Sequence, residues 1–83
     1  MEENEKTFTG VIVWFNTKKG FGFSSRDDGG KDIFIHYSDI NMEGYKNLMA
    51  GDIISFEEGY TFKNLLKATN IILIEKARKN DIK

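Results

Sequence analysis

Cysteine and proline are both missing from the 83 residues, histidine occurs once, and charge of neither sign prevails, with 12 lysines and arginines against 13 aspartates and glutamates. Without cysteine there is no disulfide framework, no thiolate metal site and no cysteine nucleophile, which fits a reducing compartment and a cytoplasmic protein. A single histidine, His36, leaves imidazole catalysis without a second histidine as partner base. No apolar run approaches membrane-spanning length, and Met1-Glu2-Glu3-Asn4-Glu5-Lys6-Thr7 is acidic where a signal peptide would be basic and then apolar. No Walker-type glycine loop is present, so ATP-driven work is not expected. Asp27, Asp28 and Asp32 invite a calcium reading, yet they lack the EF-hand spacing and its closing glutamate. No metal, no cofactor, no enzymatic activity, no membrane and no small-molecule substrate are expected. The missing basic excess also counts against counterion release as the main source of any affinity for nucleic acid.

What the chain does have is aromatic: seven Phe, three Tyr and one Trp. The densest run is Lys18-Lys19-Gly20-Phe21-Gly22-Phe23, preceded by Trp14-Phe15-Asn16 and followed by Ile33-Phe34-Ile35-His36-Tyr37. Strand side chains alternate between faces, so Phe21 and Phe23 point the same way, with the neighbouring glycines expected to keep that side open. Phe34 and His36 share one face of the later segment and Ile33, Ile35 and Tyr37 the other. Isoleucines then face a core while flat rings face water, and clustered exposed rings mark an interaction site.

The chain is long enough for one small domain. Residues 1–7 form an acidic extension with Glu2, Glu3 and Glu5 against Lys6, a net of −2. Residues 75–83 form a polar, basic tail with Lys76, Arg78, Lys79 and Lys83 against Glu75 and Asp81, a net of +2. The domain between them, residues 8–74, reads as five strands: Thr7 to Phe15, Phe21 to about Arg26, Asp32 to His36, Asp52 to Glu57, and Lys67 to Ile74. Asp27-Asp28-Gly29-Gly30 is a hairpin turn and Glu58 to Asn64 a loop. A short helical turn can start at Ser38. Five short strands favour a closed antiparallel Greek-key barrel, because closure removes exposed edges, with an SH3-like barrel as rival.

The order of these motifs, continued by Gly44-Tyr45-Lys46-Asn47-Leu48, Gly51 and Ala68-Thr69-Asn70-Ile71, resembles the cold-shock domain family over about residues 9 to 72. An RRM is a poorer match, because Ser24 and Arg26 stand where its motif has valine and an aromatic. The resemblance implies an all-β OB-fold barrel that binds single-stranded RNA and DNA with low sequence selectivity, often as an RNA chaperone, and with effects on transcription or translation. It places the base-stacking rings at Trp14, Phe21, Phe23, Phe34, His36, Tyr37 and Tyr45, with Phe15 at the edge and partly buried. Tyr37 can join only if its strand ends before it. Lys19, Lys46 and Lys63 are the implied basic contacts, and Asn16 and Asp32 the positions offering hydrogen bonds to bases.

Four positions depart from the family pattern. Val13 replaces a usual lysine, which lowers the expected salt dependence, and Tyr37 replaces phenylalanine. Ser24 replaces an aliphatic inward residue, predicting a weaker core. The Glu58 to Leu66 loop lacks the usual glycine-proline and is one residue longer. A monomer is the expected state. The rival function is a β-barrel that uses the same rings to bind a protein or to dimerise.

Overall fold

Alternation of β-branched or aromatic residues with small and polar ones produces five strands in the structure, a computed structural model that describes residues 6–43 and 47–77. They are β1 (Phe8–Asn16), β2 (Phe21–Ser24), β3 (Ile33–His36), β4 (Ile53–Tyr60) and β5 (Leu66–Glu75), with a 3-10 turn at Tyr37–Asp39. The sheet closes in the order β1, β2, β3, β5, β4 and back to β1. Four seams are antiparallel. The fifth, β3 with β5, is parallel at Phe34 and Lys67 and continues in a bridge from Ile40 to Ile71. Lys67 Nζ donates to Asp39 Oδ2 at 3.0 Å beside it.

Inward positions meet in one core of Ile12, Ile33, Ile35, Ile40, Leu48, Ile54, Phe56, Ala68 and Ile71, with Phe8, Phe15, Met42, Leu66 and Leu73 packed against it. Burying aliphatic side chains at roughly 2 kcal/mol each is the main stabilising contribution. Ser24 is fully buried on its predicted inward phase, and its hydroxyl lies 2.8 Å from Ser25 O and 3.3 Å from Val11 O. The polar group therefore has a partner.

Two strand boundaries differ from the sequence expectation by more than one residue. β2 stops at Ser24 rather than Arg26. There Ser25 N–H and Asp27 N–H turn to Val11 O and Thr9 O, and the Arg26 guanidinium binds Asp28 and Glu58 while lying 5.1 Å over the Phe8 ring. β4 runs on through Glu58, Gly59 and Tyr60, which sequence patterning assigns to a loop. These residues pair with Ala68, Lys67 and Leu66 of β5. A hydrogen-bonded partner strand carries the polar Glu57-Glu58-Gly59 stretch into the ladder despite its low strand propensity. The β4–β5 connection is thereby cut to residues 61–65.

The Asp27 to Gly30 segment is the hairpin turn expected, with Gly29 at φ 82°. The Arg26 guanidinium, then the Gly30 N–H, hold the Asp28 carboxyl below its ordinary range. Among the described residues no cluster of acids or histidines could hold a metal ion. No described helix is long and apolar enough to cross a membrane.

Candidate nucleic-acid interface

Antiparallel pairing brings the rings together across three strands. Phe23 lies opposite both Trp14 and Phe34, and Phe21 opposite His36. Residues directly opposed on adjacent strands have side chains within touching distance, so register alone assembles the row. Trp14 sits 5.6 Å from Phe21 and 5.8 Å from Phe23 between ring centroids. Phe34 is 6.2 Å from Phe21 and 5.9 Å from Phe23, and then 6.4 Å from His36. His36 is 4.8 Å from Tyr37. Six of the expected rings thus form one continuous surface, half-buried at its centre and open at its two ends, where Trp14 is 42% and Tyr37 49% exposed.

Trp14 reaches this surface through a β-bulge. Ile12 points into the core, so strict alternation would send Trp14 inward as well. The register shifts between Ile12 and Trp14, and Val13 and Trp14 are both exposed in succession. One extra residue in a strand reverses the facing of everything after it. Phe15 consequently turns to the core side and packs against the core cluster, so the structure does not join it to the ring row. Tyr37 has the opposite history. β3 ends at His36, and the 3-10 turn swings Tyr37 from the inward phase to the surface.

The glycines act differently from the sequence expectation. Gly22 faces away from the rings, toward β1, where an added Cβ would overlap the Trp14 carbonyl oxygen and lie 2.7 Å from Phe15 Cα. Gly20 holds φ at 78° and lies under the Tyr37 ring, where a Cβ would collide with Tyr37 Cδ2. These residues let backbone and rings approach closely rather than keep the outer face clear.

His36 Nδ1 accepts from Ser38 N–H at 3.2 Å and lies 2.8 Å from Ser38 Oγ. Such pairing assigns the proton of the neutral ring to Nε2 and fixes the ring plane. Asn16 Oδ1 accepts from Lys19 N–H at 2.9 Å, and its carbonyl accepts from Gly20 N–H at 2.7 Å. Of the Asn16 side chain, this leaves the amide N–H groups for an outside partner. Lys18 and Lys19 stand exposed on the same turn. Lys63 is exposed on the β4–β5 loop. Tyr45 and Lys46 lie outside the described residues.

Asp32 is exposed just before β3, at one edge of the row. There it lines a cleft with Phe23, Phe34, Thr61, Leu65 and Leu66. The last three were not among the expected site residues. The available signal was the apolar pair Leu65-Leu66 in an otherwise polar connection.

Residues 8–74 match the family described as "'Cold-shock' DNA-binding domain". Cold shock-like protein CspG of Shewanella violacea is 42% identical over 66 residues, covering 80% of this chain and 93% of that protein. Cold shock protein CspV of Vibrio cholerae is 43% identical over 68 residues, with the same two coverages. Among solved structures, "drosophila Unr CSD456" superposes with a TM-score of 0.70 at 20% identity, and the match covers 96% of this chain and 30% of that one. The last likeness concerns the fold.

Proposed function

The chain belongs to the cold-shock domain family and is a nucleic-acid-binding protein, and from that premise we propose that it captures unpaired RNA and DNA bases on the ring row and acts as an RNA chaperone. The observation that carries this reading is the unbroken sequence of six rings from Trp14 to Tyr37 on one side of the barrel. Each base stacked on an aromatic side chain contributes about 1–3 kcal/mol by alanine substitution, whatever its identity. Three or four such bases supply the roughly 8 kcal/mol of micromolar affinity. Bases in a duplex are already stacked on one another, so the row takes only unpaired ones. Binding the open form then shifts RNA structure toward it by mass action, with no ATP consumed.

Phe34 is the ring with neighbours on three sides, Phe21, Phe23 and His36. Phe34→Ala is therefore expected to weaken single-strand binding by about 1–3 kcal/mol. Emission from Trp14, the only tryptophan, reports the titration directly. Oligouridine should change that emission and a duplex of equal length should not. Wild-type affinity in Phe34→Ala, or equal response to the duplex, would refute the stacking row.

Lys19 stands exposed on the β1–β2 turn, next to Gly20, which lies under the Tyr37 ring. Lys19→Ala is expected to weaken binding of every sequence and to flatten the plot of log affinity against log salt by about 0.7. An unchanged slope would remove Lys19 from the interface.

Val11 and Val13 on β1, and Ile72 and Ile74 on β5, are exposed. These exposed aliphatic side chains are the observation favouring weak self-association as a second reading. Sedimentation across a concentration series separates it from a monomer.

A further inference from the structure

The fold divides the charge of the chain between two ends of the barrel. β4 separates β1 from β5 and is antiparallel to both, so β1 and β5 run in the same direction. The acidic extension of residues 1–7 leads into the start of β1, where Lys6 and Phe8 share a cleft with Glu57 and Glu58 and Thr9 Oγ donates to Asp27 at 2.7 Å. The basic tail leaves from the other end, toward which β1 also runs and where the β1–β2 turn exposes Lys18 and Lys19. From Phe8 to Trp14 is six residues of strand, about 20 Å. Charges so far apart are screened from each other at physiological ionic strength, where the Debye length is about 8 Å. The formal net charge of −1 therefore hides an end that attracts anions.

The first residues of the tail are tied down beside β1. Ile12 N–H donates to Asp52 O and Gly51 N–H to Ile12 O, each at 2.9 Å. On the other side of this segment Asp52 Oδ1 accepts from Ala77 N–H at 2.7 Å, and Lys76 Nζ lies 3.5 Å from Asp52 Oδ2 with its side chain 55% exposed. Ala77 lies against Gly51, where an added Cβ would stand 3.0 Å from the Ala77 Cβ. Lys76 is thus level with Ile12, two residues before Trp14, and two strand spacings away, roughly 10 Å. Trp14 is the β1 edge of the ring row. Its exposed neighbour Val13 gives that edge no cation. Residues 78–83 lie outside the described residues. In the sequence they add Arg78, Lys79 and Lys83 against Asp81, and a chain of that length reaches at most about 20 Å. From Ala77 that is enough to pass Trp14.

We propose that this basic end, Lys76 with Arg78, Lys79 and Lys83, holds the phosphates of the bound strand where it runs off the ring row past Trp14; the proposal rests on the reading of that row as a single-strand interface. Rings take bases and leave the phosphate of each nucleotide to be neutralised elsewhere. A cation on a phosphate releases counterions whatever the base, so such contacts add affinity without adding selectivity. The tail supplies the electrostatic part of the affinity that the even balance of charge over the whole chain conceals.

The test compares the wild type with a variant carrying Arg78→Gln, Lys79→Gln and Lys83→Gln together, and with Lys6→Gln at the acidic end. None of these changes touches the tie between Asp52 and Ala77. Trp14 emission follows the binding of uridine oligomers of about 6 and about 16 nucleotides, within the range of site sizes for one barrel of this kind. Each phosphate contact to a single strand contributes about 0.7 to the slope of log affinity against log salt. Loss of two or three contacts should lower the slope for the longer oligomer by about 1.4–2.1, so the advantage of the wild type over the triple variant shrinks roughly 7- to 18-fold between 50 and 200 mM salt. For the shorter oligomer the slope should fall by less than about 0.7, and Lys6→Gln should leave it unchanged with either. A slope unaltered by the triple change, lowered equally for both lengths, or lowered as much per charge by Lys6→Gln overturns the basic end while leaving the ring row standing. A wild type that binds neither oligomer overturns the ring row, and the basic end with it.

Discussion

Gly22→Ala is expected to cost more than about 3 kcal/mol of stability, a large fraction of the total for a domain of this size, at roughly 0.05–0.15 kcal/mol per residue. The methyl group would occupy the place of the Trp14 carbonyl oxygen and stand 2.7 Å from Phe15 Cα. Both are backbone atoms of β1, so no side-chain rotation relieves the overlap. β1 and β2 must move apart, and with them go the pairs Trp14 with Phe23, Phe15 with Gly22 and Asn16 with Phe21. Gly22 has no left-handed φ, so space alone forbids the side chain. Far-UV circular dichroism through a thermal melt measures the effect independently of Trp14. A shift of 1 kcal/mol moves the midpoint of such a domain by about 4–8 °C, so a variant melting within 8 °C of wild type would show that the strands are not held that close. The same contact sets the ring row, since the β1–β2 spacing places Trp14 against Phe21 and Phe23.

Asp52→Ala is the second large effect, expected at about 3–5 kcal/mol. The carboxylate is fully buried, with Oδ2 accepting from Met49 N–H at 2.9 Å and Oδ1 from Ala77 N–H at 2.7 Å. Lys76 Nζ stands 3.5 Å from Oδ2 but is half in solvent. Removing the acid leaves two backbone donors without a partner, each costing about 1–3 kcal/mol where buried, and frees the end of the chain beyond β5 from the 49–52 turn. Lys76→Ala should cost less than about 1 kcal/mol, because an exposed cation contributes little to such a pair. Chemical denaturation of the two variants separates the contributions, and accelerated amide exchange at Met49 and Ala77 in Asp52→Ala locates the loss. Equal effects of the two substitutions would mean that the ion pair, not the backbone donors, fixes Asp52.

Much of the candidate interface was legible from spacing. Phe21 with Phe23, and Phe34 with His36, are pairs two residues apart in short segments, and the strand period puts each pair on one face without further information. Ile33 and Ile35, or Ile54 and Phe56, follow by the same alternation into the core. Trp14 and Phe15 were not decided this way. Their facings depend on the bulge at Val13, and nothing local in Val11-Ile12-Val13 announces an extra residue, because all three suit either face. The extent of β4 was equally hidden, since Glu57-Glu58-Gly59 is a poor strand until β5 supplies its hydrogen bonds.

By itself the chain of residues determined five strands, their inward isoleucines and a family whose motifs occur in order from Trp14 to Ile71. Only the closed barrel decided that Phe15 turns to the core side while Trp14 and Tyr37 belong to the surface. It alone brought Thr61, Leu65 and Leu66 to the edge of the rings, and made Gly22 a point of contact between strands. The reason is the range of the forces involved. Alternation and turn chemistry act over two to four residues, whereas a bulge, a strand's end or a cleft wall is settled by a partner strand distant in the chain.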